Sequence, residues 1–223
     1  MKMDKKTKVF GTIALVLACL GVMLLMDIPQ FLKYKNNEIT NLNDESLVLN
    51  KGDLIQGTVD MALGAAVEEY STNFGVRTSK DSSKLYYVIW LDNNNFALYE
   101  TGNKDDYDTL DKITDETFDF FDSQETYEES GNIDDIVYPT TELEITGRVV
   151  KMPSDVRGYF ENWYNESFDD GQFASSTEPL MITNAAFDRF FMLVIIGAVS
   201  AVLAVVFLVI TLISWKKSKE FGY

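Results

Sequence analysis

The pattern of apolar and polar positions divides the chain into three. Residues 9–26 and 190–215 are apolar runs without a single charge, 18 and 26 residues long, and a polar stretch separates them. About 20 apolar residues cross the hydrocarbon core of a bilayer, so both runs predict transmembrane helices. The stretch between them, roughly 160 residues, is long enough for one independent core. The predicted layout is a tail over 1–8, a span over 9–26, a juxtamembrane linker over 27–46, a domain over 47–184, a second span with its lead-in over 185–215, and a tail over 216–223.

Inside the middle region the periodicity changes from segment to segment. A short strand is predicted at Leu47-Val48-Leu49, before the turn signal Lys51-Gly52-Asp53, and a firmer one over 54–59. Leu63, Ala66, Val67, Tyr70 and Phe74 recur at steps of three and four and predict a helix ending at Gly75, followed by a loop over 79–84. LYYVIWL, residues 85–91, is apolar on both faces, as in a strand covered on both sides. Asp92-Asn93-Asn94-Asn95 is a turn, with residues 96–100 as the hairpin partner. Tyr107, Leu110, Ile113, Thr117, Phe118 and Phe121 mark one face of a long helix crowded with Asp and Glu elsewhere. A loop through Gly131 and Pro139 leads to a strand over 143–150. Pro153-Ser154-Asp155 is a helix-start signal, and Val156, Tyr159, Phe160, Trp163, Tyr164, Ser167 and Phe168 form the next amphipathic face. That helix is expected to end at Asp169-Asp170-Gly171, with an extended lead into the second span.

The resulting order, β-α-β-β-α-β-α, predicts an α+β extracytoplasmic domain of ferredoxin-like βαββαβ type, with its helices on one face of the sheet, flanked by two transmembrane helices. Two of its strands echo one another. Ile55-x-Gly57-x-Val59 and Ile145-x-Gly147-x-Val149 share one pattern. In the ferredoxin-like layout they would be related by internal pseudo-symmetry, and a chance match is the alternative. Neither glycine has phosphate-loop or catalytic neighbours. Gly57 and Gly147 are therefore read as structural, at positions where a side chain would crowd a neighbour or a bulge is needed.

Charge orients this layout. The residues before the first span carry a net +3 and those after Trp215 a net +2, whereas residues 27–188 hold 11 basic and 33 acidic side chains. The positive-inside rule then places both termini in the cytoplasm and the middle region outside, with Lys33 and Lys35 a minor counter-signal. The first span also resembles a signal sequence. Val16-Leu17-Ala18-Cys19 is similar to a lipobox, which would make Cys19 a lipidation site. The chain stays apolar after Cys19, which favours a retained anchor. Cys19 is the only cysteine, so no disulfide supports the domain and its stability rests on an apolar core.

The same inventory excludes several chemistries. There is no histidine, which removes Ser-His-Asp and Cys-His catalysis and the usual zinc ligand. Neither a dinucleotide fingerprint nor a phosphate-binding loop is present, and no cofactor is expected. The carboxylates of residues 105–122 read as a solvated helix face. Asp134-Asp135 and Asp169-Asp170 leave metal binding open. The acidic domain is a poor partner for nucleic acid. Tyr159, Phe160, Trp163 and Tyr164 read as helix-to-sheet core in preference to a ligand platform. In the spans, Gly11, Ala14, Ala18 and Gly21, and the pairs Gly197/Ala201 and Ser200/Ala204, are small residues at helical spacing. Such residues predict packing of the spans on one another or on another copy. No ionisable residue lies inside either span, which disfavours an ion pathway.

By its two spans, the Lys51-Gly52-Asp53…Gly57 entry and the LYYVIWL strand, the chain resembles the uncharacterised two-pass membrane proteins of Firmicutes. That resemblance implies no functional residue. The layout also resembles polysaccharide chain-length regulators, though without their proline-rich segment beside the second span. The expected function is a membrane-anchored extracytoplasmic interaction or sensing module, an accessory subunit of a cell-envelope complex. Its expected contacts are the lipid bilayer and a membrane-protein partner or a second copy. The alternative is a tethered enzyme using carboxylates and a divalent metal on envelope substrates.

Overall fold

The computed structural model describes residues 5–73, 76–77, 82–168 and 171–220. Two units are present, one made of residues 1–37 with 186–223 and the other of residues 38–185.

The first unit is helical. α1 (Lys5–Leu25) and α6 (Asp188–Glu220) pair along their length, and the short α2 (Ile28–Lys35) follows α1 and also contacts α6. The pair is antiparallel: Phe10 stacks on Phe207 at 6.1 Å, while Gly21 lies against Ala201 and Gly197. Buried positions step by seven, at Thr7, Ala14 and Gly21 on α1 and at Gly197 and Ala204 on α6. That is the 3.5-residue period that keeps one seam facing a partner helix.

The second unit is a mixed sheet between two helical layers. Its elements are β1 (Ile39–Asn41), β2 (Leu54–Val59), β3 (Ala62–Glu69), the small hairpin β4 (Thr72–Asn73) and β5 (Val76–Arg77), β6 (Lys84–Trp90), β7 (Phe96–Thr101), α3 (Lys104–Ser130), β8 (Leu143–Lys151), α4 (Ser154–Phe168), α5 (Phe173–Ser176) and β9 (Thr177–Asn184). Seven strands form one sheet in the order β1-β2-β8-β9-β7-β6-β3, with parallel pairing of β1 to β2 and of β7 to β9.

β6 shows why the helices take opposite faces. Its side chains alternate between the two sides of the sheet, and the four residues Tyr86 to Ile89 are all buried. Tyr87 and Ile89 pack with Leu110 and Ile113 of α3, together with Leu42, Leu47 and Leu49 of the loop before β2. Tyr86 and Val88 pack with Val156, Phe160 and Tyr164 of α4. Each fully buried large apolar side chain contributes on the order of 1.5–3 kcal/mol. Burial of Phe160 and Tyr164 places that aromatic face in the core, while Tyr159 points outward at 61% exposure.

The α+β class stands, but the ferredoxin-like arrangement does not. A seven-stranded mixed sheet with helices on both faces replaces an antiparallel sheet with helices on one face. The expected helix ending at Gly75 is instead β3 over Ala62–Glu69 and β4 at Thr72–Asn73, and Phe74 and Gly75 lie outside the described residues. The cause is two register shifts against β6, between Ala62 and Gly64 and between Ala65 and Val67. A bulge inserts a residue and breaks period-two alternation. Leu63, Ala66 and Val67 therefore reach one core at helix-like spacing. Gly64 supplies the left-handed φ of +100° at the first irregularity.

Two smaller differences precede β2. Leu47-Val48-Leu49 is not a strand: Leu47 and Leu49 are buried while Val48 is exposed. The stretch read as linker instead holds α2 and β1, which adds a parallel edge to the sheet.

Candidate functional site

The echo strands meet. β2 and β8 are antiparallel neighbours, and Ile55 faces Gly147 while Gly57 faces Ile145. Each isoleucine is thus opposite the other motif's glycine, a reciprocal pairing rather than the separated pseudo-symmetry expected. Both glycines are closely approached by other chain segments. A β-carbon on Gly57 would lie 2.5 Å from Leu42 Cβ and 2.6 Å from Asn43 Oδ1; on Gly147 it would lie 2.5 Å from Ile182 Cγ2. Asn43 makes use of the approach at Gly57: its amide donates to Thr58 O (2.9 Å) and its Oδ1 accepts from Thr58 N (2.8 Å).

The most enclosed carboxylate among the described residues sits where α3 begins. Asn103 caps the helix, its side chain accepting from Asp105 N. Asp106 is three residues after this cap, a spacing in which an acid offsets the exposed N–H groups of the first turn. Asp106 Oδ1 accepts from Asn103 Nδ2 (2.7 Å), and Oδ2 accepts from Thr101 Oγ1 (2.7 Å), Asn184 Nδ2 (3.2 Å) and the Tyr99 hydroxyl (3.4 Å). Burial foremost, and then the Asp106 charge, push the Tyr99 hydroxyl pKa well up. The group ties the end of β7, the start of α3 and the end of β9 together. Its donors are all neutral and its oxygens are engaged, so it is a structural node. The Asn103-x-x-Asp106 spacing is a sequence signal for it.

The second half of α3 carries a surface where the sequence pattern predicts only loop and solvated helix. Residues 132–141 run back along the helix and are fixed by two polar latches. Ser123 Oγ donates to Phe120 O (2.7 Å) and accepts from Val137 N (2.9 Å). Glu116 accepts from the backbone N–H groups of Thr140 and Thr141 (both 2.7 Å) and from the Thr141 hydroxyl (2.7 Å). The Thr141 hydroxyl first, then the two N–H groups, hold the Glu116 pKa down to about 2. Between the latches Tyr138 packs on Phe120 at 5.7 Å, and Ile133, Val137 and Tyr138 are more than half exposed. Phe118, expected on the inner face, is also half exposed.

Among the described residues, no three His, Cys, Asp or Glu side chains are grouped to hold a metal. Asp134 and Asp135 lie in a short helical turn, where Asn132 Nδ2 donates to Asp135 (3.1 Å). Asp169 and Asp170 lie outside the described residues.

A family model described as "Domain of unknown function (DUF8577)" matches residues 1–214. The chain belongs to the DUF8577 family. No curated protein and no solved structure matches it.

In this DUF8577 chain the small residues of the helical unit fall into two groups. Gly21 and Gly197 are at the tight end of the seam: a β-carbon on Gly21 would lie 3.1 Å from Ala201 N, and one on Gly197 would lie 3.0 Å from Leu24 Cβ. Ser200 is buried there and Ala201 half-buried. Gly11, Ala14, Ala18 and Ala204 instead line an apolar groove of about 440 Å³ between α1 and α6. Cys19 is exposed on α1.

Proposed function

We propose that the chain is a membrane-anchored interaction or sensing module of the cell membrane, serving as an accessory subunit of a cell-envelope complex. The observation that carries the reading is the two-sided character of the helical pair. α1 and α6 are long and apolar enough to cross a bilayer, yet only 11% and 17% of their most apolar windows are buried. A core helix of a soluble protein would be mostly covered. Here small residues line the seam and its groove, and Val16, Val22, Met23, Met192, Val199 and Val202, none of them groove-lining, are each more than half exposed. Water is a poor medium for so large an apolar surface, and lipid is a good one.

The charge distribution supports a direction. Net charges of +3 and +2 lie beyond the chain-terminal ends of the two apolar runs, against Lys33, Lys35 and Arg189 near their other ends, and the unit strung between them is strongly acidic, so both termini belong in the cytoplasm and residues 38–185 outside it. Two anchors hold that unit at the membrane surface, an arrangement suited to engaging a neighbouring membrane protein. Affinity purification of tagged full-length chain from detergent-solubilised membranes tests the reading. Recovery of a second protein in fixed proportion is expected. Recovery from the soluble fraction, or of the lone monomer from membranes, would overturn it.

A further inference from the structure

We infer that the surface formed by the second half of α3 and residues 132–141 docks a cationic, amphipathic segment of a partner protein. The inference rests on the interaction-module reading and names its contact surface.

The first observation is apolar. Phe120 and Tyr127 lie seven residues apart on one side of α3, Tyr138 packs on Phe120, and Ile133 and Val137 lie on the returning segment, with Tyr127 38%, Val137 56%, Tyr138 63% and Ile133 67% exposed. Single exposed apolar side chains are ordinary, but a group of them on one flank is not. Nor are these loose loop residues. The Ser123 and Glu116 latches fix the segment at Val137 and at Thr140 and Thr141, so Val137 and Tyr138 are held out toward solvent before any partner arrives. A preformed surface avoids the ordering cost of binding.

The second observation is electrostatic and independent. From Ile113 to Gly147 there are eleven Asp and Glu residues and no Lys or Arg. The final turns of α3 carry Glu125, Glu128 and Glu129, and its last turn has no basic residue. The carbonyl end of a helix favours cations, so these carboxylates oppose the helix dipole in the free protein. Cations supplied by a partner would relieve that conflict. Lysine or arginine could also lie over the Tyr138 and Phe120 rings.

Charge decides among occupants. A second copy carries the same acidic surface, and an anionic lipid surface would be repelled. A partner segment with apolar residues on one face and Lys or Arg beside them satisfies both observations.

The test uses the full-length chain in phosphatidylcholine nanodiscs. The probe is a fluorescent amphipathic Lys/Leu peptide, its Glu/Leu counterpart and oligolysine serving as controls, with binding to empty discs subtracted. The Lys/Leu peptide is expected to bind, and to protect residues 113–141 from hydrogen exchange. Val137→Ser with Tyr138→Ser is expected to weaken it roughly tenfold, the scale of losing interface anchors. Glu128→Gln with Glu129→Gln should weaken it several-fold, most at low salt. No binding, equal binding to Val137→Ser/Tyr138→Ser, or protection elsewhere would overturn the inference. Should that variant melt at a lower temperature, the exchange footprint on the wild-type chain decides. If wild type and Val137→Ser/Tyr138→Ser co-purify the same partner from membranes equally well, this docking surface is refuted and the interaction reading stands. If wild type co-purifies none, that reading itself fails.

Discussion

Gly57 and Gly147 are glycines because of what approaches them. Leu42 and Asn43 crowd the first and Ile182 the second, at distances no β-carbon tolerates. Valine at either position is expected to lower the stability of the α+β unit by about 1–3 kcal/mol or more, seen as a lower melting temperature by circular dichroism. Gly158 is the counter-case: it lies in α4 with nothing within 4 Å of its missing side chain. Gly158→Ala should raise stability by up to about 1 kcal/mol, because alanine restricts the unfolded chain and favours helix. Glu116 makes a prediction in pH. Its pKa in the folded protein, about 2, lies below the ordinary 4.5. The latch therefore contributes fully above about pH 4.5 and is lost as pH falls toward 2. Hydrogen exchange of residues 137–141 should be faster in Glu116→Gln than in wild type at pH 6, and the difference should shrink progressively below pH 4.5.

At the scale of elements, what was legible in the sequence follows from how local each signal was. The apolar runs of α1 and α6, the two-sided strand LYYVIWL and the long helix α3 depend on composition or on period over many residues, and each lies where its pattern predicts. β3 carries a helix-like pattern in sequence because its bulges give a strand the spacing of a helix. The sheet order, with β9 inserted between β7 and β8, depends on pairing between distant segments, which no local period encodes. The same holds for the latched surface beside α3. Ser123, Glu116 and Tyr138 are unremarkable in sequence, and only the return of residues 132–141 along the helix brings them together. The α1–α6 seam offers its own check. A β-carbon on Gly11 would lie 3.6 Å from Thr211 Cγ2. Cysteines replacing Gly11 and Thr211, in a Cys19→Ser background, are expected to form a disulfide readily in isolated membranes under mild oxidation. Adding Gly21→Ile should reduce the yield, since the larger residue forces α6 away at Ala201 and Gly197.

For the whole molecule, the decisive feature is the division of labour along the chain. An apolar helical pair bears the basic ends, and an acidic α+β unit lies between its two members in sequence. The proposed anchoring, orientation and docking all rest on that division, and the proposed docking depends on the proposed orientation. It can be read directly by labelling single cysteines with a membrane-impermeant maleimide in intact cells. In a Cys19→Ser background, Asp108→Cys on the exposed part of α3 and Lys217→Cys near the end of α6 report on the two sides. Asp108→Cys is expected to label in intact cells and Lys217→Cys only after permeabilisation. Labelling of Lys217→Cys in intact cells, with Asp108→Cys protected until lysis, would contradict the proposed architecture.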